Sequence, residues 1–179
     1  MGTAVLSYLI ADETARQMAS AFVFVDPICF LLHLPAVAYN FMYRPPRHAN
    51  EWLLWYFVST EAGISWSLHR HFWWFRSILW RDDVSQLVLD SKKTKQREIA
   101  IFTCGKDAIT PGPLLLDYLG RETEDTPLKP IDSRIVDLKP TASKPWHLRY
   151  YRELDHAQLL VIPSFRSTIV EQCAAYCHR

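Results

Sequence analysis

"EIAIFTCGKDAI" (residues 98–109) decides the fold. Its apolar run from Ile99 to Thr103 is short and continuous, which predicts a buried strand ended by Gly105. Asp107 stands just past that end. "TPGPLLLDYLG" (residues 110–120) then starts a helix, with Pro113 in its first turn and Gly120 closing it. A carboxylate where a buried strand spills into a loop is either the cap of the next helix or the acid of a site.

Upstream, "AFVFVD" (residues 21–26) predicts another buried strand, ended by Asp26-Pro27. Downstream, Trp146–Glu153 alternates in part and predicts a third. "GTAVLSYLIADETARQ" carries Val5, Leu6, Leu9 and Ile10 on a helical stripe, so one helix is expected over Gly2–Gln17. From Pro27 to Lys95 the chain is helical and aromatic, with Asn50 as the expected N-cap of "EWLLWYF". The final stretch after Gln158 is mostly helix, interrupted or reset at Pro163. Strands alternating with helices imply a parallel sheet, so an α/β fold is expected. The polar, proline-bearing stretch 121–145 is expected to be a surface excursion with little core, and "DSKKTKQR" (residues 90–97) a solvated face.

Composition narrows the function classes. The 179 residues suggest one domain. A net charge of +1 argues against an electrostatic nucleic-acid binder, so no nucleic-acid partner is expected. Cys29, Cys104, Cys173 and Cys177 form no CxxC pair, and free thiols suit an intracellular compartment. Cys173, Cys177 and His178 cluster on one helical turn but would need further ligands from elsewhere. The N-terminal stretch lacks the basic region of a secretory signal. Ala21–Tyr43 is apolar enough to resemble a membrane span, yet Asp26, Pro27 and Pro35 interrupt it. An intracellular chain is expected, and contact with a membrane surface stays open.

In parallel sheets, active groups collect beyond the carboxyl ends of the strands. Asp107 follows one strand in that way and His156 follows the next. A carboxylate that fixes an imidazole tautomer, and an imidazole that takes a nucleophile's proton, form a standard chemical pair. The order acid-then-histidine is that of the second and third members of a Ser-Asp-His triad. Each residue alone has a plainer reading, as a helix cap or a satisfied loop histidine.

The stretches "FVFVDPICFLLHLPAVAYNFMYRPPRHANEWLLWYF", "LHRHFWWFRSILW", "FTCGKDAI" and "LDHAQLL" resemble the C-terminal part of the α/β-hydrolase superfamily. The similarity is strongest to uncharacterised fungal and plant members, and it covers nearly the whole chain. It implies a partial α/β-hydrolase fold: the last three parallel strands, flanking helices and a helical cap insert. Residues 1–26 and 97–179 would form the core, and residues 27–96 the aromatic-rich cap. It implies Asp107 as triad acid and His156 as base, with no cofactor and no metal. The family nucleophile lies in G-x-S-x-G, and this sequence contains no such motif. "MGTAVL" is similar to the segment that directly follows the serine. The resemblance thus implies that the serine precedes Met1, and that the chain as given is inactive.

Other candidates stand beside this pair. Trp66, His71, Trp73 and Trp74 are the expected lining of a pocket for a small acyl or lipid-like substrate, since pockets are mostly apolar; packing is the plainer reading. His69 and His71 are metal-like in spacing but lack acidic partners. Asp26 ends a strand near the expected site and could equally cap the next segment. The second functional class is a non-catalytic binding or membrane-surface module that uses the aromatic residues of the insert.

Overall fold

The computed structural model describes residues 2–89, 97–123 and 133–178. They form a mixed α/β structure around one four-stranded, mostly parallel sheet. Strands β1 (Ala21–Val25), β2 (Glu98–Cys104) and β4 (His147–Tyr151) are parallel; β3 (Ile135–Leu138) is antiparallel to β4. The spatial order is β1-β2-β4-β3. The expected strands at 21–26, 99–103 and 146–153 are therefore present and adjacent. β3 was not expected, because "IVDL" is a short run inside a polar stretch; it pairs with β4 from Ile135 opposite Tyr151 to Leu138 opposite Leu148.

The near-continuous apolar runs follow from burial on both faces of the sheet. Phe22, Phe24, Ile99, Ile101 and Leu148 pack into one core cluster. Helix α6 (Arg81–Leu89) adds Val84, Leu87 and Val88 to it, and α7 (Gly112–Gly120) adds Leu115 and Leu119. The alternate residues Ala100, Phe102, Cys104 and Tyr151 form a second cluster with Leu159 and Ile169. These two come from α8 (Gln158–Val161) and α9 (Pro163–Cys177), with Pro163 resetting the helix as expected.

The single helix expected over Gly2–Gln17 is two, α1 (Gly2–Ala11) and α2 (Glu13–Met18). Asp12 causes the break: its carboxylate accepts the Ala15 N–H at 2.8 Å and caps α2. Ala4, Ser7 and Ile10 are buried, whereas Val5 and Leu9 of the expected stripe are exposed. Among the described residues β1 has a neighbour on one side only, so its other edge is open.

Between β1 and β2 lie α3 (Pro35–Met42), α4 (Ala49–Leu54) running on into a π-helical turn (Trp55–Ser59), α5 (Ala62–Arg70), and then α6. Asn50 does not cap α4. His48 holds that position, and Glu51 accepts the N–H groups of His48 and Arg47. Arg97 departs from the solvated face expected for residues 90–97. It is buried, and its guanidinium donates to the carbonyls of Leu87 and Ala19. The rest of that polar stretch, residues 90–96, lies outside the described residues, as do 124–132 and the position expected to follow a nucleophile, residue 1.

Candidate functional site

The β2–β4 ladder continues past the strand ends. Gly105 donates to the Tyr151 carbonyl at 2.8 Å and Lys106 to the Leu154 carbonyl at 2.9 Å. The loops after β2 and β4 are thereby drawn together. A side chain at position 105 would place its Cβ 2.4 Å from the Arg152 carbonyl, so only glycine fits. At Gly112 a Cβ would lie 2.1 Å from the Cys104 carbonyl, which is why the α7 start can fold back on the strand end.

Asp107 bonds in two directions and does not cap the next helix, whose N-cap is Pro111. Its Oδ1 accepts the Ile109 N–H at 2.7 Å and the Thr110 N–H at 3.1 Å, capping the turn into the next segment. Its Oδ2 lies 2.8 Å from His156 Nδ1. The Asp107 side chain is 1% exposed and that of His156 26%. Nδ1 is held by the carboxylate, and among the described residues Nε2 has no hydrogen-bond partner. Burial by itself would lower the His156 pKa. The hydrogen bond and charge of Asp107, with a smaller push from Asp26, outweigh it and raise the pKa above the usual histidine value.

Sequence reasoning undervalued two residues. Asp26 sits at φ 44° at the end of β1, in the left-handed region that Asp and Asn tolerate best. Its Oδ2 accepts the Ala157 N–H at 2.8 Å, and Ala157 is itself left-handed at φ 63°. Burial first, then the Asp107 charge, push the Asp26 carboxyl up to about 6. Asp155 Oδ1 accepts the N–H of Ala108 at 2.9 Å and of His156 at 2.7 Å, tying the acid loop to the histidine loop. Asp155 Oδ2 takes the Asn50 amide, so Asn50 joins the insert to the site instead of capping its own helix. The signal for Asp26 was its strand-end position; for Asp155, 105 residues away from Asn50, there was none.

A cavity of about 950 Å³ adjoins this pair. His156 and Asp26 line it together with Leu6, Val37, Phe41, Val58 and Trp74. Of the four residues expected at a pocket, Trp74 lines this cavity. Trp66, His71 and Trp73 do not: Trp66 and Trp73 are exposed, and the His71 ring lies 4.3 Å from that of Trp66. An aromatic run fixes the apolar character of an insert but not which rings turn inward. His69 is taken up by the Ser65 carbonyl at 2.7 Å and the Tyr43 hydroxyl at 3.2 Å, away from His71.

Asp26, Asp107 and His156 each offer one ligand atom, all within 4.8 Å of one another. The His156 nitrogen nearest the carboxylates is already bonded to Asp107, so a cation would have to displace that contact. Other nucleophiles fit poorly. Burial, and then Asp26 beside it, push the Cys104 thiol far above its usual range, and burial pushes Cys29 up to about 12. Ser7 is buried with its hydroxyl on the Ala4 carbonyl, and Ser167 donates to the Ser164 carbonyl within α9. Cys173 and Cys177 are free thiols on α9.

Comparison with protein-family models, with curated proteins and with solved structures finds no match. No helix among the described residues is long and apolar enough to cross a membrane.

Proposed function

We propose that Asp107 and His156 are the acid and base of a serine hydrolase of the α/β-hydrolase type, and that this chain carries its last three parallel strands and the helical cap insert. The observation that carries the reading is the 2.8 Å contact from Asp107 Oδ2 to His156 Nδ1, just past the carboxyl ends of two neighbouring parallel strands. In that role Asp107 holds the Nδ1–H tautomer, which leaves Nε2 as the base. Nε2 would take the serine proton as the serine oxygen attacks an ester carbonyl carbon. It would then give the proton to the departing alkoxide, and water would release the acyl group by the same route in reverse order of partners.

The serine in this reading precedes residue 1, where the resemblance of "MGTAVL" to the post-nucleophile segment puts it. The cavity agrees with that placing, because Gly2 and Thr3 line it together with His156. The chain as given should therefore bind but not turn over. The test is the coding sequence directly upstream of Met1. A glycine-x-serine stretch in frame supports the reading; its absence removes the nucleophile and with it the proposal.

A second reading has its own support. Trp52, Tyr56, Phe57, Trp66, Trp73 and Phe75 are all exposed on the insert, more aromatic surface than a free face ordinarily carries. On this reading the insert rests on a membrane surface. Co-sedimentation with neutral phospholipid vesicles, lost on Trp66→Ser with Trp73→Ser, would favour it; no sedimentation would discard it.

A further inference from the structure

The cavity beside His156 carries more information than its position. Its lining is mostly apolar, and among the described residues its only ionisable side chains are Asp26, His33 and His156. Among the described residues no lysine or arginine lines it. With His156 neutral, an anionic group brought to it would meet the carboxyls of Asp26 and Asp107 with no lysine or arginine of the described lining to offset them. At about 950 Å³ the space is at the upper end of the roughly 300–1,000 Å³ typical of small-molecule sites. It is too large for a short acyl group to fill.

The lining comes from several separate pieces of chain. Leu6 and Leu9 of α1, Val25 of β1, Val37 and Phe41 of α3, and Trp74 after α5 face one space. Phe41 and Leu6 also pack against the sheet core, so this wall is held by the fold and is not a loose surface patch. Exposure of Val5 and Leu9 on α1 has an explanation here, since both border the cavity.

From these observations we infer that the site takes an uncharged substrate with a long apolar chain, presenting a neutral carbonyl to His156, and rejects the corresponding carboxylate. The inference rests on the hydrolase reading for the role of His156, but binding tests it without any nucleophile.

The probes are 2-hexanone, 2-octanone and 2-decanone, neutral carbonyl compounds of rising chain length, with sodium decanoate as the charged counterpart at pH 8. Binding to the full chain is followed by the shift of the His156 imidazole signal in NMR titrations. The dissociation constant should fall about three- to fourfold for each added methylene, as apolar burial requires. Decanoate should bind at least tenfold more weakly than 2-decanone. Ala38 lines the cavity at an exposed position on α3, so Ala38→Trp should fold normally and weaken 2-decanone about fivefold. A dissociation constant independent of chain length, decanoate binding as tightly as 2-decanone, or no His156 shift with any probe overturns the inference. An upstream frame without a serine would remove the hydrolase reading while leaving these binding results standing, so the two failures are distinguishable.

Discussion

Two aspartate–histidine pairs flank the same sheet. Asp107 and His156 meet past the carboxyl ends of β2 and β4; Asp137 and His147 meet at the other end of β4, where it pairs with β3. The second pair resembles the first in its bond and differs in everything around it. Both ring nitrogens of His147 are occupied, Nε2 by Asp137 and Nδ1 by the Gln172 side chain at 3.2 Å. Asp137 is shared further with Arg149 at 2.9 Å and Lys139 at 3.3 Å. Such a histidine has no nitrogen left to move a proton. His156 keeps Nε2 unpartnered among the described residues and borders a cavity. The Asp107–His156 contact differs from the lower one in having, among the described residues, an unpartnered ring nitrogen and an adjoining cavity beside it.

That contrast can be broken first at the glycine that makes the upper pair possible. Gly105→Ala puts a methyl against the Arg152 carbonyl, so the loops must separate. A loss of about 3 kcal/mol is expected in urea unfolding, with a change in the His156 NMR signal and none in that of His147. Gly63→Ala on α5 meets only the flexible Glu61 carboxylate and should stay within about 1 kcal/mol of zero, on the stabilising side.

Asp107→Asn should cost about 2 kcal/mol at pH 6, because a buried charged hydrogen bond is replaced by a neutral one. The pH dependence has a definite sign. The folded His156 pKa lies above its unfolded value, so the stability this pair adds is fully present below about pH 6.5 and is lost as pH rises through the folded pKa. Unfolding measured from pH 5 upward should show the difference between wild type and Asp107→Asn shrinking. A constant difference would show that the charge of His156 is not involved.

Asp26 follows the same pH sense, but removing its charge stabilises the fold instead of weakening it. Its folded pKa, about 6, lies above the ordinary 3.8, so the advantage of its neutral form is present below pH 3.8 and lost as pH rises through 6. Asp26→Asn keeps an acceptor for the Ala157 N–H and tolerates the left-handed backbone. It should stabilise the chain by about 2 kcal/mol at pH 8 and by nothing near pH 4. Destabilisation at pH 8 would mean that the carboxylate has a further bound partner.

The smallest effect belongs to the lower pair. Asp137 is held down to about 2: burial opposes ionisation, but the hydrogen bonds from His147 and Arg149 prevail. Its stabilisation is present above pH 3.8 and lost as pH falls through 2. Because a third of the side chain is exposed, water screens the pair. Asp137→Asn should cost about 1 kcal/mol at pH 7 and leave ligand binding at the cavity unchanged.

The sheet and the upper pair were legible because each left a local mark. A continuous apolar run, a glycine and a strand-end acid or histidine suffice to locate β1, β2, β4, Asp107 and His156. β3 left no such mark, since "IVDL" becomes a strand only when β4 offers it an edge. The break at Asp12 was a capping residue hidden inside a plausible helical stripe. The link from Asn50 to Asp155 and the pairing of Asp137 with His147 are meetings of distant segments, to which no spacing rule applies. Trp66, His71 and Trp73 were expected in the pocket because pockets are mostly apolar, but aromatic content says nothing about which way each ring faces.

The most direct test of the hydrolase reading is labelling by a fluorophosphonate, which reacts with an activated serine. The account predicts no labelling of the 179-residue chain. It predicts labelling of a chain extended through the upstream reading frame, abolished by His156→Ala and slowed on the order of 10⁴-fold by Asp107→Asn. Labelling of the 179-residue chain at one of its own serines, or labelling of the extended chain that survives His156→Ala, would contradict it.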